Sequence, residues 1–329
     1  MSIKVLLLTP YSFQKYGGVQ NQVNLMEDYL SSHEKFDVKV FAYGKTESLD
    51  SNKIFNIPFN SSISSVLLFP NRKLLRNYIN WADVVHVHEP FIPLFFWKLP
   101  KSKKYIFTHH ASLGAIITNI LSIIYKFFRY KGISTYVSKS AESNALSLNS
   151  EPILIPNMIR INQNISFNKN QGYLFIGRQE TRKNYSFFVE LSNNELFKNK
   201  LFYAVTNKDI SHKNITIFKN PTDEFKIEIF GKTNIYLALN TKSESFGITL
   251  LEAVNNGNIV ISSDLSSFIN VLPNSYIVYK NNDFESLCNV LTKLDSKDLN
   301  SLWNKQYEDI RKYDVEENMR KFLLLYSNL

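Results

Sequence analysis

Glu244-Ser-Phe-Gly-Ile-Thr-Leu-Leu-Glu252, followed by Ala253-Val-Asn-Asn-Gly257 and Asn258-Ile-Val-Ile-Ser262, reads as a loop, a helix, a glycine stop and a buried strand. Two carboxylates eight residues apart bracket a Ser-Phe-Gly turn and the start of the apolar helix. A loop-to-helix junction directs several backbone N–H groups at one spot, and the helix macrodipole adds partial positive charge there. Gly247 has no side chain to block the approach of a phosphate. Glu244, just before the helix, can accept hydrogen bonds from sugar hydroxyls. Glu252, about one turn inside, can reach a ribose diol. The pattern suits a ligand that is both phosphorylated and rich in hydroxyls, as a nucleotide sugar is. Taken alone, these residues also fit an amphipathic helix with two solvated carboxylates.

Outward from this stretch, short apolar runs alternate with helical ones through both halves of the chain. Ile3–Thr9, Val38–Ala42, Asp83–Val87, Tyr105–Thr108, Ile133–Val137 and Ile153–Ile155 read as strands, with helices at Asn21–Leu30, Leu113–Arg129 and Ser140–Leu148. A second series follows: strands at Tyr173–Ile176, Leu201–Val205, Ile215–Phe218, Ile235–Leu239, Ile259–Ser262 and Tyr276–Tyr279. Helices at Tyr185–Leu191, Glu224–Phe230, Gly247–Asn255 and Phe284–Leu294 are interleaved with them. Such alternation predicts an α/β protein of two Rossmann-like domains with parallel sheets, facing each other across a cleft at the carboxyl ends of their strands. Asn157–Gln171 is polar, Asn-rich and without periodicity, and is expected to be the linker. The expected domains are 1–157, with a C-terminal helix 314–329, and 172–313. The tail reads as two helices with a break near Tyr313-Asp314.

Length and composition agree with this division. A chain of 329 residues suits two domains, and 44% hydrophobic residues can fill two cores. Cys288 is the single cysteine, which excludes an internal disulfide and a cysteine-rich zinc site and points to a reducing cytoplasm. Ile3–Leu8 is too short for a signal sequence or a membrane span. The net charge of +9 is concentrated at Lys98, Lys101, Lys103 and Lys104 and at Lys126, Arg129 and Lys131. These patches suit an anionic membrane surface or plain solvent, and no nucleic-acid-binding signature accompanies them.

Three further constellations bear on chemistry. Gly17-Gly18-Val19-Gln20 opens the first helix and permits a tight turn, but it lacks the dinucleotide fingerprint. Gly177-Arg178-Gln-Glu-Thr-Arg182-Lys183 places three cations on one strand-to-helix loop, which suits a diphosphate and requires no bound metal. His109-His110 ends a strand, so at least one imidazole is expected in the cleft. His86 and His88 share a strand face, where packing and hydrogen bonding are a better account than metal ligation.

Together these motifs resemble the retaining glycosyltransferases of family 4, which have the GT-B fold. The resemblance covers nearly the whole chain: the N-terminal Gly-Gly, Pro156-Asn157 after a strand, the Gly-Arg…Arg-Lys loop and the Glu-x7-Glu. Pro10-Tyr-Ser-Phe13, Ile57-Pro-Phe-Asn60, Val87-His-Glu-Pro90 and Ser262-Ser-Asp-Leu265 look like the phosphatidyl-myo-inositol mannosyltransferase branch of actinobacteria. That resemblance implies transfer of mannose from GDP-mannose to a lipid headgroup with retention, by front-face attack in which the leaving phosphate helps to deprotonate the acceptor. Gly18, Arg178, Lys183, Gly247 and Ile248 would hold the diphosphate, Glu252 the ribose, and Glu244 and His110 the mannose. Asp223 and Lys226 would lie near the guanine, and Tyr11, Gln20 and Asn60 would face the headgroup. The catalytic set would be His110, Glu244, Arg178 and Lys183. No tightly bound cofactor is implied; assistance by Mg2+ is left open. The expected location is the cytoplasmic face of the plasma membrane, bound peripherally.

The chain departs from that pattern at five positions. Ser65 and Leu67 stand where the family has basic residues, Ala115 stands for a lysine, Asn184 for a glycine, and Met158 follows Pro156-Asn157 in place of glycine. The donor side is better preserved than the acceptor side. Two rivals follow: another nucleotide-sugar donor with a soluble or polysaccharide acceptor, and an inactive membrane-associated binding protein on a transferase scaffold. The helix Leu113–Arg129, apolar with a basic end, fits either a core helix or an interfacial one.

Overall fold

The computed structural model describes the chain apart from residues 1, 15–16, 48, 60–61, 93–96, 112, 114, 129, 149–150 and 209–210; for residues 58–59, 62–63, 115–116 and 124–128 it describes the backbone only. Two compact units result, Met1–Met158 with Val315–Leu329, and Ile159–Asp314.

Unit one contains, in chain order, β1 (Ile3–Leu8), β2 (Phe36–Phe41), β3 (Ile54–Phe59), β4 (Ser62–Leu67), β5 (Val84–His88), β6 (Lys104–His109), β7 (Gly132–Tyr136) and β8 (Ile153–Leu154). Six of them form a parallel sheet in the order β2-β1-β5-β6-β7-β8. Successive side chains of a strand point to opposite faces, so the run Val5-Leu-Leu-Leu8 feeds two cores. Val5 and Leu7 pack with Val23, Met26 and Leu30 of the helix Gly18–Ser31 and with Met319 and Phe322 of the helix Val315–Asn328. Leu6 and Leu8 pack on the other face with Leu75 and Ile79 of the helix Arg72–Trp81. Each such fully buried side chain contributes about 1.5–3 kcal/mol.

The antiparallel hairpin β3–β4 and the helix Arg72–Trp81 lie outside the expected elements. Pro58 and the serines of 61–65 make the hairpin resemble a loop in sequence, and pairing supplies what local propensity does not. The helix carried a readable cap: Asn71 Oδ1 accepts from the backbone N–H of Lys73 and Leu74.

Unit two contains β9 (Gly172–Ile176), β10 (Leu201–Thr206), β11 (Thr216–Lys219), β12 (Ile235–Ala238), β13 (Ile259–Ser263) and β14 (Val278–Tyr279). They form one parallel sheet in the order β11-β10-β9-β12-β13-β14. The direction of travel reverses between β9 and β12 here, and between β1 and β5 in unit one. At such a reversal the loops leaving the strand ends diverge, and a ligand-sized crevice opens at the carboxyl ends.

The stretch expected to be a linker is packed from Ile159 onward. Ile161, Ile165 and Phe167 lie against the core of unit two, and Asn168 Nδ2 donates to the carbonyls of Phe230 at 2.9 Å and Asn256 at 2.8 Å. Asparagine side chains here take hydrogen-bond roles that a backbone ladder fills elsewhere, which hides the order from a periodicity search.

Candidate active site

The loop leaving β9 and the loop leaving β12 meet at the reversal of unit two. Thr241 N–H donates to the Arg182 carbonyl at 2.8 Å and fastens one loop to the other. Lys183 Nζ reaches Glu244 Oε2 at 2.9 Å, Asn240 Nδ2 donates to the same oxygen at 2.6 Å, and Arg182 stands 3.8 Å away. Burial pushes the Glu244 carboxyl up, but Lys183, then Arg182 and Asn240, outweigh it and hold the group below the ordinary carboxylate value. Glu180 accepts from Arg182 Nε at 2.9 Å and pairs with Arg178 Nε at 3.2 Å. Glu180 and Asn240, which bond these side chains here, and Arg182 were not among the expected catalytic residues. Asn240 lies just beyond the end of β12, which is the one signal that would have found it.

Two backbone conformations shape this corner. Gly247 has φ +92°, and a Cβ there would stand 2.9 Å from the Phe268 ring, so both the dihedral and the space demand glycine. It precedes the helix Ile248–Asn255, whose Leu250 N–H turns back to the Gly247 carbonyl at 2.9 Å. Asn184 is left-handed at φ 53°, ψ 43°. Asparagine tolerates that region better than most other side chains, which suits it to this position.

Asp223, Lys226 and Glu252 are also brought together, but with each other. Lys226 Nζ lies 3.2 Å from Glu252 Oε2 and 3.4 Å from Asp223 Oδ1. Burial raises the Glu252 carboxyl, Lys226 opposes it, and Asp223 adds to it. The lysine expected beside a base carbonyl is therefore shared between two carboxylates.

In unit one, Tyr11 and Glu89 leave the two strands that flank the reversal. Tyr11 is buried, and burial together with the Glu89 charge raises its phenol well above the usual value. Glu89 Oε2 accepts from the backbone N–H of Ala111 at 3.1 Å and His110 at 3.4 Å. His110 Nε2 meets His88 Nδ1 at 3.0 Å. Burial drives the His110 imidazole down to about 4, with the Asn157 side chain pulling the other way, and drives His109 down to about 3. His109 packs edge-on against Phe91, with both ring nitrogens buried and unpartnered. His86 stacks on His88 and bonds the Tyr326 hydroxyl at 2.7 Å and Thr108 at 2.6 Å, so it ties the C-terminal helix to the sheet. Among the described residues no three His, Cys, Asp or Glu side chains gather in a way that could hold a metal ion.

Gly18 begins the first helix, after Gly17 in extended conformation. Gln20 folds back so that its Nε2 donates to the Ser12 carbonyl at 3.0 Å. Asn60 and Arg129 lie outside the described residues, and the side chains of Ala115 and Lys126 are not described. Ser65 is buried with its hydroxyl on Asn56 Oδ1 at 2.7 Å, and Leu67 is fully buried. Lys103 Nζ donates to the Ala82 carbonyl at 2.6 Å, so one member of the lysine cluster fastens the chain to itself. The expected helix Leu113–Arg129 is observed as Ala115–Phe128, with Ile117, Ile120 and Ile123 exposed by 52, 55 and 70%. No helix among the described residues is long and apolar enough to cross a membrane.

Residues 194–314 match the family model of glycosyl transferases group 1. Across 99% of its length the chain is 25% identical to a phosphatidyl-myo-inositol mannosyltransferase from Mycobacterium leprae, of which it covers 97%. A glycosyltransferase structure from Rickettsia africae superposes with a TM-score of 0.70 at 16% identity, covering 99% of this chain and 98% of that one. A UDP-glucose complex of HepE from Anabaena superposes at 0.69 with 12% identity, covering 99% and 100%. Two doubly wound parallel units and these likenesses converge on the fold: the chain has the GT-B fold, and its residues 194–314 carry the group 1 glycosyl transferase model.

Proposed function

We propose that unit two binds a nucleoside-diphosphate hexose and that the chain transfers the hexose to a hydroxyl of a soluble or polysaccharide acceptor. The observation that carries the proposal is the Lys183–Glu244 pair beside Gly247 at the β9/β12 reversal. A diphosphate entering there displaces one anion from Lys183 and Arg182, which then stabilise the charge that builds on the departing phosphate. Glu244, released from Lys183, is freed to accept from sugar hydroxyls, and Glu252 takes the ribose diol. Arg178, on the same loop, adds charge at its exposed edge. His110 and Tyr11 line the crevice of unit one that takes the acceptor. The buried Ser65 and Leu67 speak for a neutral acceptor, because cations are missing where an anionic headgroup would need them.

A second reading, mannose from GDP-mannose to a phosphoinositide-like headgroup at a membrane surface, is favoured by the likeness to the mycobacterial enzyme and by the exposed stripe Ile117, Ile120 and Ile123. One experiment separates the two. Purified protein is given UDP-, ADP- and GDP-hexoses with oligosaccharide acceptors or with vesicles containing phosphatidylinositol, and transfer and donor hydrolysis are read separately. Transfer to oligosaccharide without vesicles supports the proposal; transfer only in the vesicle arm replaces it with the second reading.

A further inference from the structure

The crevice at the β1/β5 reversal holds a buried carboxyl group that the proposed reaction leaves unused. Glu89 follows β5 directly, is 1% exposed and sits at φ 59°. That left-handed conformation strains a non-glycine residue by roughly 1–3 kcal/mol and persists only where surrounding contacts enforce it. Here the contacts are specific. Oε2 takes the main-chain N–H groups of both His110 and Ala111, the first two residues after β6, while Oε1 is buried with no hydrogen-bond partner. A buried polar atom left bare is costly unless something in the working protein meets it.

The protonation state follows from the surroundings. Burial pushes the Glu89 carboxyl up to about 8, and the two amides only partly oppose it. Tyr11, from the loop after β1, feels the Glu89 charge but is itself held neutral by burial. His110, from the loop after β6, and His88, the preceding residue, are neutral imidazoles and bring no compensating charge. At neutral pH the proton resides on Oε1, the oxygen without a partner, while Oε2 keeps both amides.

We propose that Glu89 is the positioning residue of this crevice: as a neutral acid it locks the His110–Ala111 main chain through Oε2, thereby aims the His110 ring, and keeps its Oε1–H as a donor for a hydroxyl of a bound saccharide. This deepens the reading that His110 lines a ligand site, and it rests on that reading for its kinetic part only.

Glu89→Gln preserves the acceptor on the two amides and a donor at Oε1; Glu89→Leu removes both. Backbone amide exchange at His110 and Ala111, followed by NMR without substrate, is expected to stay protected in wild type and Glu89→Gln and to quicken by about tenfold or more in Glu89→Leu, as a lost hydrogen bond of roughly 1.5 kcal/mol requires. In transfer assays Glu89→Leu is expected to lower kcat by about tenfold with little change in KM for the nucleotide sugar, and Glu89→Gln to recover most of it. Wild-type turnover should also decline as the pH passes about 8, where Oε1 loses its proton, and the glutamine variant should lack that decline. Unchanged exchange in Glu89→Leu overturns the lock. Glutamine as impaired as leucine, or a decline near pH 8 shared by the glutamine variant, overturns the neutral acid. Should the leucine variant not fold, the glutamine variant and the wild-type pH profile still decide. Exchange needs no substrate, so a wrong donor or acceptor would silence the kinetics without touching it.

Discussion

Lys183 Nζ and Glu244 Oε2 stand 2.9 Å apart although 61 residues separate them in the chain. Each comes from a loop that leaves one of the two strands flanking the sheet reversal, and the contact exists only because those strands are neighbours. Both groups are partly buried, so the pair is screened less than a surface ion pair. Glu244→Gln and Lys183→Ala are each expected to lower turnover by about tenfold or more, since a charge-assisted hydrogen bond lost in the transition state is worth roughly 1.5–3 kcal/mol. Steady-state rates together with melting curves check this; normal turnover in both folded variants would remove the pair from the active site.

Gly247→Ala tests the corner that presents the helix. The dihedral disfavours any Cβ, and the Phe268 ring occupies its place at 2.9 Å. Destabilisation of about 1–3 kcal/mol is expected in denaturant titration, with donor affinity weakened as well. A change within a few tenths of a kcal/mol would show that the loop yields freely.

The four buried histidines of unit one make its stability depend on acid. His86 and His109 are lowered to about 3 and His110 to about 4, chiefly by burial, and His88 is lowered further than the ordinary value by burial and its neighbours. A depressed folded pKa contributes stability that is present above the unfolded imidazole value of about 6.5 and is lost as the pH falls through the folded one. Glu89, raised to about 8, acts in the opposite sense: its contribution is full below the unfolded carboxyl value of about 4.3 and is gone once the pH has risen through the folded one. The melting temperature is therefore expected to fall more steeply from pH 6.5 to 4 than from 6.5 to 8. His109→Phe, which removes a titrating ring that makes no hydrogen bond, should flatten the acid limb; an unchanged limb would disprove its share.

The Asp223–Lys226–Glu252 cluster bears on donor choice. If Asp223 accepts from a guanine edge, GDP binds more tightly than UDP and Asp223→Ala narrows the gap. If Lys226 chiefly holds Glu252 for the ribose, Lys226→Met weakens both nucleotides alike. Calorimetric titration of GDP and UDP against the wild type and the two variants distinguishes these outcomes, and tighter binding of UDP to the wild type refutes the guanine assignment.

The alternation of strand and helix was legible because a buried parallel strand must be an unbroken apolar run: Leu6 and Leu7 face different cores, and both must be hydrophobic. The Glu244–Glu252 stretch was legible because a glycine before a helix and the residues around it act locally, through dihedrals and amides of the same segment. The hairpin Ile54–Leu67 was not, since Ser64 and Ser65 are ordered by the partner strand and by the loop after β1, both outside any local pattern. Nor could the sequence tell that Lys226 is spent on Glu252, that Glu180 joins Arg178 to Arg182, or that Glu89 carries the amides of His110 and Ala111. Charge type and position are properties of the chain, whereas which charges meet, and how far burial shifts them, is settled when sheet order brings distant loops together and excludes water from the space they share.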